Sequence, residues 1–322
     1  MISYEDCIMC PRKCHINRAN SKGFCNESDK PRLAWCGLHK GEEPLVSGEN
    51  GSGMFFFTGC PLGCRYCQNY QISLNNNEFS NYIFLDEDKF ISLCYALESM
   101  SAESISLVTA EHHTPFVVKC LKKLKSQRFS LPIVYNTSGW ISKKNLDELL
   151  DFVDIWLWDI KTLDENTAKK FCRSDKYPFF AKDSFEYLYS NLFKRETHKQ
   201  SKVIVRHLVF PSSIRESIDV IRYFAPFKDK CMFSLMAQFI NPYSNNKSNN
   251  KSNAAKNEKF NKITQQEYNL LENEIFKNNI EEGFIQEIGD ENTWIPDFTK
   301  DNPFPSDYAM PCDEFLQLRR LK

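Results

Sequence analysis

Through the middle of the chain, short runs of consecutive apolar residues, rich in β-branched and aromatic types, alternate with longer stretches in which apolar residues recur every three or four positions. The first kind predicts strands buried on both faces of a parallel sheet, and the second predicts amphipathic helices laid over it. Strands are predicted at 54–58, 104–109, 132–136, 155–160, 202–210 and 232–239, with a seventh candidate at 284–288. The helix pattern is plainest over 115–127. There Phe116, Val117, Cys120, Leu121 and Leu124 form one stripe, Lys119, Lys122, Lys123 and Lys125 face the other way, and Pro115 sits in the first turn that tolerates it. A second helix is predicted over 264–279, with Tyr268, Leu271, Ile275 and Phe276 on one side. Six parallel strand–helix units wind right-handedly with their helices outside, which predicts an α/β fold built as a partial (β/α)6 TIM-type barrel. A doubly wound open sheet is the structural competitor.

The pattern stops at both ends and once inside. Residues 1–46 are cysteine-rich and loop-like, 47–290 carry the barrel, and 291–322, with Pro296, Pro303, Phe304 and Pro305, read as an extended C-terminal tail. Between 241 and 262, 16 of 22 residues are Asn, Lys or Ser, which predicts a solvated, disordered insertion.

Charge removes whole classes of function. Forty-one basic against 42 acidic side chains leave a net charge of -1, so no global field draws the chain toward nucleic acid or anionic lipid. No apolar stretch approaches 18 residues, so no membrane span is expected. The first residues show neither a basic nor an apolar leader, which places the expectation in the cytoplasm. In that compartment clustered thiols bind metal more often than they form disulfides, and eight of the 13 cysteines fall within the first 67 residues.

Three of them stand directly after the first predicted barrel strand, in Thr58-Gly59-Cys60-Pro61-Leu62-Gly63-Cys64-Arg65-Tyr66-Cys67. Three thiolates can hold three irons of a [4Fe-4S] cube and leave the fourth open, whereas the four of a ferredoxin close it. Gly59 and Gly63 would let the backbone wrap tightly around such a group. This segment matches the C-x3-C-x-aromatic-C signature of the radical SAM superfamily, which the chain resembles at Cys60, Cys64, Tyr66 and Cys67. The wider resemblance is to the pyruvate formate-lyase activating-enzyme-like group with an extra N-terminal cysteine cluster. It rests on Ser47-Gly48, Gly51-Ser52-Gly53, Cys67-Gln68-Asn69, Tyr135-Asn136-Thr137-Ser138-Gly139, Asp159-Ile160-Lys161 and Val205-Arg206-His207-Leu208-Val209. It implies a [4Fe-4S] cluster at Cys60, Cys64 and Cys67 with S-adenosylmethionine chelating the open iron. Reductive cleavage would then give a 5'-deoxyadenosyl radical that abstracts hydrogen, from a glycyl-radical enzyme or alternatively from a small molecule, peptide or RNA. A reducing partner such as flavodoxin or ferredoxin is implied with it.

Cosubstrate-binding candidates are Tyr66, Glu111, Asn136, Thr137, Asp159, Lys161 and His207. Lys161 would pair with a carboxylate, Asp159 with Asn136 could hold a small cation, and His207 is either a ligand contact or a satisfied core histidine. The Gly-Gly-Glu segment of many relatives is absent, and the chain reads Val108-Thr109-Ala110-Glu111-His112-His113 instead. Glu111 is the candidate for the methionine ammonium, and the two histidines either handle protons or cap the following helix.

Cys7, Cys10, Cys14 and Cys25 form a second four-thiolate set, suited to structural zinc or to an auxiliary [4Fe-4S] cluster that relays electrons. Cys36 and His15 are weaker substitutes. If both cysteine groups were simply filled, the chain would be a non-catalytic electron-transfer or metal-binding protein. Gly41-Glu42-Glu43-Pro44 belongs to the resemblance without an assigned role.

Overall fold

The computed structural model describes residues 2–73, 79–193, 201–211, 213–240, 262–289 and 295–321. All but Lys262 of the Asn/Lys/Ser-rich stretch lies outside the described residues.

In chain order the elements are β1 (Arg32–His39), α1 (Pro44–Ser47), β2 (Ser52–Phe57), β3 (Ile83–Phe84), α2 (Glu87–Ser99), β4 (Ile105–Val108), α3 (Thr114–Ser126), β5 (Ile133–Thr137), α4 (Lys143–Leu149) and β6 (Ile155–Asp159). Then come α5 (Glu165–Phe171), α6 (Tyr177–Phe193), β7 (Lys202–Leu208), α7 (Ile214–Phe224), β8 (Met232–Met236), α8 (Gln265–Lys277), β9 (Gly283–Ile285), β10 (Ala309–Pro311) and α9 (Asp313–Arg320). One sheet runs β10-β1-β2-β4-β5-β6-β7-β8-β9, with β3 beside β1. From β2 to β9 every pairing is parallel. All six expected strands and the seventh candidate are present, and the sheet is open, because its path ends at β10 and β9.

Two features depart from the sequence reading. Residues assigned to the cysteine-rich segment form β1, fully buried and antiparallel to β2, so the barrel begins earlier than position 47. The C-terminal tail is not simply extended: β10 pairs antiparallel with β1, and α9 buries Phe315. Gly37 admits this clasp, since a Cβ there would stand 2.8 Å from Pro311 Cα. A three-residue edge strand ending in proline carries no alternation to read.

Strand parity divides the sheet. Tyr135, Trp156, Trp158, Val203, Val205, Phe233 and Leu235 face the helices and join the main core. Opposite parity faces the barrel interior and stacks in layers. The lowest layer, Val134, Ile155, Leu157 and Ile204, receives Val46 of α1, with Leu45, Met232 and Phe284 packed against it. The next layer up is polar: Asn136, Asp159, Arg206 and Ser234. Ser138, Lys161, Leu208 and Met236 lie above it, toward the cysteine loop. No helix among the described residues is long and apolar enough to cross a membrane.

Candidate functional site

The loop after β2 turns at two glycines in the left-handed region, Gly59 (φ 78°) and Gly63 (φ 72°), where a side chain would be strained. At Gly59 the surroundings also demand glycine, because a Cβ would sit 2.6 Å from the Cys25 carbonyl and against Glu27 Cγ. The turn brings Cys60, Cys64 and Cys67 onto one cavity of about 570 Å³, together with Tyr66, Asn136, Asp159, Lys161 and Arg206. The Gly63 amide donates to Cys60 Sγ at 3.3 Å. Tyr66 packs edge-on to Phe210 at 4.6 Å, which fixes the loop against the barrel rim.

Lys161 donates to Asp159 Oδ2 at 2.9 Å. Arg206 donates from Nε to Asp159 Oδ1 at 2.8 Å, from Nη1 to Glu42 Oε2 at 2.9 Å and from Nη2 to Asn136 Oδ1 at 2.6 Å. Asp159 and Asn136 therefore meet on a guanidinium rather than around a small cation, which corrects the cation-site expectation. Arg206 was legible only as part of a β-strand motif; its position two residues after Ile204 of the apolar layer is the signal that it points inward. Burial opposes charge at all three ionised groups, yet Arg206 and Lys161 hold Asp159 below the usual carboxylate range, and Asp159 raises both cations. Burial pushes Glu42 up to about 7 against the pull of Arg206.

At the thiols, burial raises Cys60 well up and Cys67 to about 11. Cys64 goes the other way, down to about 7, through a hydrogen bond from Cys172 and the nearby Lys161 ammonium. Cys172 carried no motif in the sequence, and the fold alone sets it beside Cys64.

Glu111 and Thr137 stand behind the lining. Thr137 Oγ1 donates to Glu111 Oε1 at 2.5 Å and the Ser138 amide to the same oxygen at 3.2 Å, while Oε2 is buried without a hydrogen-bond partner. Burial raises the Glu111 carboxyl to about 6. Thr109, which lines the cavity just upstream, takes a left-handed backbone (φ 56°), a turn that ordinarily favours glycine.

His207 faces the helices. Its Nδ1 donates to the Ile160 carbonyl at 2.7 Å and its Nε2 accepts from Ser217 at 2.9 Å, a satisfied neutral pair. Burial accordingly lowers it to about 4. His112 and His113 also stay out of the cavity. His112 Nε2 donates to the Thr58 carbonyl at 2.8 Å, His113 Nδ1 lies 3.2 Å from Tyr4, and neither side chain caps α3.

The N-terminal cysteines gather within tight turns. Cys7 N donates to the Ile16 carbonyl, His15 N returns to the Cys7 carbonyl, and a Cβ on Gly23 would lie 3.4 Å from Cys14 Sγ and 3.8 Å from Cys25 Sγ. Cys10 feels the charges of Cys25, Cys7 and Cys14, so all four thiols are neighbours. His15 instead pairs with Asp6 at the surface, and Cys36 lies on β1 beside Cys312. The segment grips the cavity loop directly. Arg12 donates to the Pro61 and Leu62 carbonyls at 3.2 Å each, and Glu27 takes Arg32 Nε at 3.0 Å and the Thr58 hydroxyl at 2.6 Å. Arg18, fully buried, donates to the Glu27, Ser28 and His112 carbonyls.

All thirteen cysteines are free thiols, and the donor chemistry suits iron-sulfur groups at both sets: sulfur only, three donors beside an open cavity and four around a closed turn. Among the described residues no three His, Cys, Asp or Glu side chains converge on one point that would hold a single ion. Ligands of a multinuclear cluster bind different irons and do not need to converge in that way.

A profile of the Radical SAM superfamily matches residues 54–222, just over half of the chain. An uncharacterized protein of Methanocaldococcus jannaschii is 24% identical over 213 residues, 66% of this chain and 59% of that protein, so the chain spans under two thirds of that relative's length. Among solved structures, methylornithine synthase is similar at TM-score 0.51 and 12% identity, over 76% of this chain and 75% of its own. SuiB of Streptococcus suis, bound to S-adenosylmethionine, is similar at TM-score 0.50 and 12% identity, over 73% and 49%. These likenesses are of fold.

Proposed function

The chain belongs to the Radical SAM superfamily, and on that premise we propose that it is an enzyme that cleaves S-adenosylmethionine reductively and abstracts hydrogen from a small polar substrate. When bound, the superfamily's [4Fe-4S] cluster and S-adenosylmethionine supply a one-electron cleavage, with the electron delivered by an external reductant of the flavodoxin or ferredoxin kind. Cys60, Cys64 and Cys67, on the loop that borders the cavity, would be the residues that hold that cluster. Lys161, fixed by Asp159, receives the methionine carboxylate. Glu111, pinned through one oxygen by Thr137 and Ser138 behind the lining, is the candidate for the ammonium through its other, unpartnered oxygen. The observation that carries the reading is that three thiols of one short loop and four ionised or amide strand-end side chains line the same cavity.

The N-terminal thiols are proposed to hold a second iron-sulfur cluster that passes electrons inward, a role supported by the direct contacts of Arg12 and Cys25 with the catalytic loop. A closed zinc site at the same thiols would support the loop but carry no electron. Activation of a glycyl-radical enzyme stands as the second reading, favoured by the strand-end motifs. The charged cavity floor favours a small molecule. Thirteen free thiols suit a reducing cytoplasm.

The test is anaerobic reconstitution, reduction and addition of S-adenosylmethionine. Release of 5'-deoxyadenosine, with an electron paramagnetic resonance signal that changes on adding the ligand, is expected. Zinc alone at the Cys60 loop, or an iron signal indifferent to the ligand, sinks the proposal.

A further inference from the structure

The turn Gly41-Glu42-Glu43-Pro44 takes no part in the chemistry above, yet it forms one wall of the cavity. We propose that this turn is a recognition site for an aliphatic ammonium group on the substrate, received by Glu43. The inference rests on the preceding reading for what becomes of the bound molecule, and not for its binding.

Three observations support it. First, the Glu43 side chain is only 8% exposed and its Oε2 has no hydrogen-bond partner. A desolvated carboxylate oxygen without a donor is costly, and the complement that would satisfy it is a cation bearing N–H groups. Arg206 does not serve. Its Nε, Nη1 and Nη2 already donate to Asp159, Glu42 and Asn136, and Nη1 stands 3.9 Å from Glu43 Oε2, beyond hydrogen-bond reach.

Second, among the described residues the lining holds no cation free to serve Glu43: Lys161 donates to Asp159, and Arg206 to Asp159, Glu42 and Asn136, while burial holds the His39 ring neutral. Third, the cavity suits a compact cation carried on a carbon stem. Phe284 and Phe304 line the same cavity and provide apolar surface for a carbon stem. The volume of about 570 Å³ lies within the range of small-molecule sites.

Height within the barrel separates this site from that proposed for the cosubstrate. Glu42 bonds to the Arg206 layer, directly above the apolar layer that receives Val46, whereas the thiols meet the Lys161 layer above it. Glu43 is therefore the deeper receptor, and Glu111 the one nearer the upper layer, through Ser138.

The experiment measures binding of n-butylammonium, n-butanol, butanoate and n-butylguanidinium to the full-length reconstituted protein by calorimetry, with and without S-adenosylmethionine. Butylammonium is expected to bind saturably, at least about ten-fold more tightly than the alcohol, as expected of a buried charged hydrogen bond. The advantage should disappear in Glu43→Gln and survive in part in Glu43→Asp. Equal binding of the ammonium and the alcohol, undiminished binding by Glu43→Gln, or displacement by S-adenosylmethionine would overturn the proposal. Displacement would show that the vacancy serves the cosubstrate. If Glu43→Gln does not fold, the comparison of ammonium with alcohol on the unaltered protein decides alone. Calorimetry needs no turnover: ammonium selectivity without 5'-deoxyadenosine release would sink the proposed function and leave this site standing, and the converse result would sink this site only.

Discussion

The two cysteine groups differ in what surrounds the sulfur. Cys7, Cys10 and Cys25 are buried in a turn-rich segment closed by its own backbone hydrogen bonds, whereas Cys60, Cys64 and Cys67 are half-buried on the rim of a cavity whose far wall is ionised. Four donors in a closed turn complete a coordination shell, and three beside an open volume leave it incomplete. The lesson is that donor count and enclosure together separate a group that holds the chain from one that acts on a ligand. The two also touch, through Arg12 and through the packing of Cys25 on Gly59, so the closed site forms part of the scaffold of the open one.

The largest test of this contrast exchanges single sulfurs. Cys10→Ser is expected to destabilise the protein by about 5 kcal/mol or more, because the metal binding proposed there would supply folding energy to a segment with little apolar core. Cys64→Ala should leave the thermal transition almost in place and abolish 5'-deoxyadenosine release. The opposite pattern in calorimetric scans would invert the assignment. Next in size, Arg206→Gln strands Glu42 and Asp159 without their shared partner and should cost about 3–5 kcal/mol in urea unfolding. Arg206→Lys recovers only part, since one ammonium cannot span three acceptors.

A smaller effect reads the support between the two sites. Burial lowers His112 to about 3, so the unfolded chain binds its proton first as pH falls below about 6.5. Stability is therefore lost on acidification from about 6.5 toward 3. His112→Gln, which keeps a donor for the Thr58 carbonyl, should lessen that slope by about 1.4 kcal/mol per pH unit. An unchanged slope would show that the ring is not held neutral. Smallest, Thr109→Gly should add about 1 kcal/mol, as relief of a left-handed β-branched residue outweighs the entropy of glycine.

Much of this was legible in the chain. Continuous apolar runs marked the six parallel strands, and the spacing of Cys60, Cys64 and Cys67 after one of them singled out three thiols that the fold brings onto one cavity. What stayed hidden depends on chain segments far apart in sequence. Arg206 lies in an apolar run, and only barrel parity turns it inward toward Asn136, 70 positions earlier. Cys172 reaches Cys64 across the α5 region. The Glu42-Glu43 turn shows as two charges before a proline, and its meaning appears when α1 lodges among Val134, Leu157 and Ile204. Strand β1 was unseen because it adjoins a cysteine-rich stretch and draws its partners from both directions, β2 and the distant β10. His207 shows the reverse: a polar residue in a strand motif drew attention to a position whose hydrogen bonds are complete.

The short helix α1 stoppers the lower end of the barrel with Leu45 and Val46. Under the proposed function, a molecule seated against Glu43 would rest on that apolar plug, with the polar layer and the thiol loop above it.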